Sequence, residues 1–259
     1  MQLILVGILG AVAGSFLSML VYRLPRGEGV VWSRSRCPSC AAPLSPFELI
    51  PVASFFLQGR RCRHCARPIP WRYVAIELSS VVLFLALALA CTGPDGCPGG
   101  FPLPLWLILG AILLLIAFID YFHLVIPEAA LLVAGALTLL ARAFIMPQTL
   151  LEGLFAAAIG GGFFWLIVLV SHERWMGLGD AKLGALAGIL VGFPGVLVAL
   201  VSAALLGGIT GVTLLAVGNK TLGDQIPFAP FLVLGTLIAL FSTAALVPFL
   251  PFETALFLS

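Results

Sequence analysis

Hydrophobic positions in this chain run in long unbroken stretches. Residues 96–119, 129–141, 153–171, 183–219 and 225–252 contain no Asp, Glu, Lys or Arg. A bilayer core about 30 Å thick takes roughly 20 apolar residues per helix. The 183–219 stretch therefore holds two spans, with Gly192-Phe-Pro-Gly195 as the turn between them. Backbone groups in lipid must find partners within their own segment, so these runs predict helices and not strands. Eight spans are expected, near residues 2–20, 74–92, 103–120, 125–143, 152–171, 181–193, 195–217 and 227–248, the sixth of them short. The first span lacks a basic start, and Gly14-Ser-Phe-Leu17 runs on into Tyr22-Arg-Leu-Pro25, so it reads as a retained helix and not a cleaved signal. The expected fold is an all-α integral membrane protein of about eight transmembrane helices. Residues 1–21 form the first helix, 22–73 a small soluble domain and 74–259 a seven-helix core.

Composition agrees. Of 259 residues, 61% are hydrophobic and 9% charged, where a soluble domain carries about a quarter charged. A net charge of +2 argues against nucleic acid as a partner, and the placement of the charges says more. With both termini outside, 22–73, 172–182 and 218–226 face the cytoplasm, and twelve of the thirteen Lys and Arg lie inside or at its edge. Arg142 is the exception. The reverse orientation would put the nine arginines of 22–73 outside, against the positive-inside rule.

That soluble region holds Cys37-Pro-Ser-Cys40 and Cys62-Arg-His-Cys65, separated by 21 residues. Two Cys-x-x-Cys pairs so spaced predict a tetrahedral Zn²⁺ site with Cys37, Cys40, Cys62 and Cys65 as ligands. Four thiolates leave no open position for water, so the metal is read as structural. A segment of about 50 residues buries too little apolar surface to fold well unaided, which gives such a staple a purpose. Four free thiols are the bland alternative, and His64 is a possible substitute ligand. Cys91 and Cys97 fall at the outer end of the second span, where a disulfide and two unrelated thiols are both open.

Ionisable residues at membrane depth are costly and tend to mark function. Asp120 ends the apolar run 105–119, and Asp180 lies in Gly177-Leu-Gly-Asp180-Ala-Lys182 at the start of the sixth span. In the assigned topology both reach the cytoplasmic face at similar depth. Two facing carboxylates in a partly dry site divide their protonation, one charged and one neutral. Hydrolysis of an amide needs that division: one group takes a proton from water, and the other donates to the carbonyl oxygen. Gly177 and Gly179 would let a substrate backbone approach and the chain turn into the helix. Each aspartate alone reads equally well as a cap or an interfacial charge. Lys182 either tunes Asp180 or anchors its helix. Glu77, a few residues into the second span, faces the site or pairs with an arginine. Glu128 fits the first turn of a helix. Asp224 reads as a loop residue, His123 and His172 as interfacial, and Asp95 and Glu253 suggest no chemistry.

In order along the chain, these segments resemble the type IV prepilin peptidases. Gly14-Ser-Phe-Leu-Ser-Met-Leu-Val-Tyr-Arg-Leu-Pro25 is similar to the family's opening segment, with Ser18 where Asn is usual. The cysteine pairs follow, then Pro68-Ile-Pro-Trp-Arg-Tyr73 leading to Glu77. Asp120-Tyr-Phe-His-Leu-Val-Ile-Pro127 resembles the first aspartate motif, and Gly177-Leu-Gly-Asp180 the second, a Gly-x-Gly-Asp shared with presenilin-like proteases. Ile226-Pro-Phe-Ala-Pro-Phe231 is similar to the last motif, with Ala229 where Gly is more frequent.

The resemblance implies a bacterial inner-membrane aspartic peptidase with Asp120 and Asp180 as its catalytic pair. Its substrates would be prepilins or pseudopilins, cleaved at the cytoplasmic boundary after a short basic leader. It further implies N-methylation of the new terminus from S-adenosylmethionine, since the tetracysteine domain resembles that of bifunctional members. A peptidase without methyl transfer is the nearer alternative, and no glycine-rich fingerprint marks a methyl-donor site. Glu77 is a candidate for substrate or methyl-donor binding. Anionic lipid headgroups suit the nine arginines. A transporter would keep its acids nearer mid-membrane and need no zinc module. A zinc-bearing scaffold would leave the paired aspartates unexplained.

Overall fold

The computed structural model describes residues 1–30, 35–93, 96–218 and 225–246, with side chains through 242. All eight predicted spans are helices: α1 (Gln2–Arg23), α3 (Arg72–Ala90), α4 (Leu103–His123), α5 (Glu128–Ile145), α6 (Leu150–Ser171), α7 (Leu178–Val191), α8 (Gly195–Ala216) and α9 (Ala229–Leu246). A short α2 (Ala53–Leu57) lies in the polar segment between α1 and α3. Among the described residues, β structure is confined to two isolated antiparallel bridges, Arg36 with Pro43 and Arg61 with Pro68. Among the described residues, six helices are long and apolar enough to cross a bilayer: α1, α3, α4, α5, α6 and α8. The chain is a membrane protein.

Helix ends follow local chemistry. Pro104 occupies the first turn of α4, where its missing N–H costs nothing. At the other end Leu124 turns left-handed (φ +54°), and its N–H donates to the Asp120 carbonyl at 2.8 Å. Glu128 opens α5, where the helix dipole favours an acid.

The chain forms two compact units, and the division falls within α5. In the first, residues 1–97 and 102–134, α1 packs along α3 and both meet α4. Leu17, Val21, Ile76, Leu115 and Ile119 form their shared core. Gly14 allows the close approach: a Cβ there would stand 2.6 Å from Glu77 Cα.

In the second unit, residues 98–101 and those from 135 onward, α7 packs on α6, α8 and α9. Its 14 residues rise only about 21 Å, short of a bilayer core of about 30 Å. Eight of the fourteen are buried, so this short helix is enclosed by protein rather than lipid. Small residues set the α6–α7 spacing. Gly160 and Gly184 face each other backbone to backbone, and Gly188 lies against the Ala156 carbonyl.

Candidate functional site

The cysteine segment is built from two copies of one turn. Arg36-Cys-Pro-Ser-Cys-Ala-Ala-Pro43 and Arg61-Cys-Arg-His-Cys-Ala-Arg-Pro68 share their pattern and their hydrogen bonds. The Cys37 N–H donates to Ala42 O and the Cys62 N–H to Arg67 O, both at 2.9 Å. Ala41 and Ala66 N–H return to the Cys37 and Cys62 carbonyls, each residue at a positive φ near +57° and +56°. The repeat is legible in the sequence as Arg-Cys-x-x-Cys-Ala-x-Pro, a signal that the bare cysteine spacing understates.

Stacking the two turns gathers the four sulfurs within 4.8 Å of one another, with Cys37 Sγ and Cys65 Sγ 4.0 Å apart. A tetrahedral zinc with Zn–S near 2.3 Å spaces its sulfurs by about 3.8 Å. The donor set therefore fits a metal ion of that kind. Burial pushes the Cys37 thiol up, but hydrogen bonds to the Ser39 and Cys40 backbone, then to the Cys62 and Cys40 side chains, outweigh it and bring it down to about 7. One position of the cluster is thus already disposed to the thiolate form that metal ligation requires. Ser45 and Glu48 close the adjoining turn: the Ser45 N–H donates to Glu48 Oε2 at 2.8 Å, and its hydroxyl to the same oxygen at 2.9 Å. These bonds hold the Glu48 carboxyl below its usual range.

Glu77 is buried in α3 and joins this segment to the helices. Its Oε2 accepts the Val52 N–H at 2.7 Å, at the residue that leads into α2 with φ +60°. A second grouping, drawn from three separate sequence motifs, gathers where α1, α3 and α4 meet. Ser18, Tyr22, Arg72, Tyr73 and His123 line one small cleft. The Arg26 guanidinium lies 4.0 Å from the Tyr22 ring centre, and Arg72 lies 5.3 Å from that of Tyr73.

Asp120 stands in the last turn of α4, 6% exposed, in the first unit. Asp180 belongs to the second, in the first turn of α7 and half-buried. Its Oδ2 accepts the Gly177 N–H at 3.3 Å, so Asp180 is not the N-cap its place near a helix start suggested: it stands at the third helical position and reaches back to the N-cap residue, Gly177. Gly177 itself is extended (φ −87°, ψ 158°), a conformation open to any residue, and a Cβ there would approach nothing closer than 3.9 Å. The turn into α7 therefore does not require glycine at 177. Gly179 lies within the helix's first turn, and Lys182, two residues beyond Asp180, is exposed. Asp95, Asp224 and Glu253 lie outside the described residues. Cys91 and Cys97 are joined in a disulfide just beyond the end of α3.

The model of the bacterial peptidase A24 N-terminal domain matches residues 8–91, from α1 through α3. That of the type IV leader peptidase family matches residues 107–212, from α4 into α8. The chain is 30% identical to the prepilin leader peptidase/N-methyltransferase of Pseudomonas aeruginosa, over 90% of its own length and 88% of the relative's. It is 30% identical to the Bacillus subtilis protein of the same name, over 90% and 91%. Identity to the Burkholderia pseudomallei (strain 1026b) protein is 32%, over 93% and 85%. No solved structure matches the chain. On these matches, spanning both the cysteine segment and the helices that bear the two aspartates, the chain belongs to the type IV leader peptidase family.

Proposed function

We propose that the protein cleaves the leader from type IV prepilins or pseudopilins at the cytoplasmic boundary of the bacterial inner membrane, using Asp120 and Asp180 as its acid–base pair. The observation that carries the chemistry is Asp120, a carboxyl group 6% exposed at the end of a 21-residue helix with no other acid, Lys or Arg. A carboxyl group so placed costs stability, and such groups tend to mark function. In the proposed reaction one aspartate takes a proton from water as its oxygen attacks the scissile carbonyl carbon. The other protonates the carbonyl oxygen. As the tetrahedral intermediate collapses and its C–N bond breaks, the aspartate that took the proton from water gives it to the departing amine, a hydroxyl proton of the diol returns to the other aspartate, and a new carboxylic acid is left on the leader. Gly177 and Gly179 leave room for the substrate strand beside Asp180, and Lys182 adds a positive charge nearby.

N-methylation of the freed amino group, with S-adenosylmethionine as donor, is the second activity we assign. Support comes from the bifunctional name borne by relatives matched along nine-tenths of the chain. Glu77 serves substrate or methyl-donor binding through its hold on Val52, which ties the cysteine segment to α3. Cys37, Cys40, Cys62 and Cys65 hold a structural zinc, whose closed shell of four thiolates adds no catalytic position. Both termini lie outside. The basic content of 22–73 supports this orientation, and so does the redox contrast between four free thiols before α3 and a disulfide after it. Anionic headgroups meet the arginines on the inner side.

Single-turnover cleavage of a prepilin by Asp120→Asn and Asp180→Asn tests the assignment. Each variant is expected to fold and to lose cleavage. Turnover retained in either would remove that residue from the mechanism.

A further inference from the structure

The one cation that broke the charge rule, Arg142, is buried at 5% exposure, and its donors are spent on the far end of the helix that bears Asp180. An α-helix ends with carbonyls that have no partner, and in an apolar setting each is costly unless something else donates to it. In α7 the shortage is built into the sequence. The Leu190 carbonyl would look four residues on to Pro194, which has no N–H. The Ile189 carbonyl would look to the Phe193 N–H, but that group donates instead to Glu152 Oε1 at 3.0 Å.

Arg142 fills both vacancies. Its Nε donates to Ile189 O at 2.6 Å and its Nη2 to Leu190 O at 3.4 Å, while Nη1 donates to Thr149 O at 2.9 Å. Two glycines make the space. A Cβ at Gly153 would stand 2.7 Å from Arg142 Nε, and one at Gly192 would stand 2.5 Å from Glu152 Oε1 and 3.5 Å from Arg142 Nη2. Glu152 also supplies the opposite charge that a buried guanidinium needs.

We propose that Arg142 and Glu152 form a polar clasp that ends α7 at Val191 and thereby sets the axial position of Asp180. They are positioning residues. Ile189 lies nine positions beyond Asp180, about 14 Å along the helix, so neither side chain reaches the reacting atoms. The effect passes along a rigid helix enclosed by its neighbours: if its end unravels or slips, the carboxyl group at its start moves. A displacement near 1 Å at a reacting group costs up to about 100-fold in rate. The inference rests on the reading of Asp180 as catalytic.

The test uses the full-length protein in lipid nanodiscs, with cleavage of a prepilin followed across pH and folding checked by thermal melting. Arg142→Met is expected to lower kcat by about 10- to 100-fold while KM stays within about twofold. Its pH–rate profile should be displaced, because the surroundings of Asp180 change. Arg142→Lys, which restores one donor, should recover part of the loss. Hydrogen exchange across 186–196 should quicken in the Met variant. A folded Arg142→Met enzyme with wild-type kcat and pH profile, alongside an inactive Asp180→Asn, would overturn the clasp alone. An active Asp180→Asn would overturn the catalytic reading and the clasp with it. If Arg142→Met does not accumulate in folded form, Glu152→Leu, which removes the acceptor of the Phe193 N–H, decides by the same readouts: reduced kcat with a displaced profile supports the clasp, and wild-type values overturn it.

Discussion

Gly184→Ala should separate α6 from α7. A Cβ on Gly184 would lie 2.6 Å from the Gly160 carbonyl oxygen and 2.6 Å from Phe164 Cδ2, where ordinary contact begins at 3.4 Å. A backbone carbonyl cannot swing aside as a flexible side chain can, so the helices must part by about 0.8 Å or tilt. Overpacking of this size costs about 1–3 kcal/mol. Because α7 carries Asp180, cleavage should fall along with stability. The control lies on the same α6: Gly162 has nothing within 4 Å of its Cβ position. Gly162→Ala should be neutral or stabilising by up to about 1 kcal/mol through helix propensity. Thermal melting in one fixed detergent compares the pair, and initial cleavage rates follow. A Gly184→Ala protein as stable as wild type, or a Gly162→Ala protein destabilised as much as Gly184→Ala, would refute the packing argument.

Zinc should copurify at one ion per chain. Chelation or Cys37→Ser should leave the helices intact while residues 35–70 become open to protease; unchanged protection after complete demetallation would remove the structural role. Glu48→Ala should cost the same segment about 0.5–1 kcal/mol by removing its turn cap. Because folding holds the Glu48 carboxyl below its usual range, its contribution is present above that range and lost as pH falls through the folded value. Local hydrogen exchange near Ser45 should therefore quicken under acid in wild type, with no matching acid step in Glu48→Ala. Opening Cys91–Cys97 with an impermeant reductant applied outside cells, but not one confined to the cytoplasm, checks the orientation.

Spans were legible because lipid enforces a plain rule: an uncharged run of sufficient length must be helical. That rule found eight of the nine helices described to within a few residues, missing only the short α2 of the polar segment, and it included α7, whose shortness was visible in the distance from Asp180 to Gly192. The four-cysteine cluster was legible because paired Cys-x-x-Cys turns have few uses other than gathering their thiols. Charge counting along the chain failed at Arg142. It treats a cation as a marker of sidedness and cannot see one buried among carbonyls contributed by residues 47 and 48 positions away. Gly160, Gly184 and Gly188 were equally hidden in meaning, since helical glycine serves close packing or flexibility, and the choice depends on the neighbour. Glu77 was singled out, but its partner at Val52 lies in a loop whose path only folding decides. The glycine at 177 taught the opposite lesson: a motif position that reads as a sharp turn is extended backbone.

The central claim, leader cleavage by an aspartate pair with a separate methyl transfer, is tested most directly by mass spectrometry. Purified protein, Asp120→Asn and Asp180→Asn would each be incubated with intact prepilin, with pre-cleaved pilin and with S-adenosylmethionine. The account predicts leader loss and an added methyl group from wild type. It predicts no cleavage by either variant, with methylation of pre-cleaved pilin retained in both. Intact prepilin after incubation with folded wild-type enzyme, or leader loss catalysed by either aspartate variant, would contradict it.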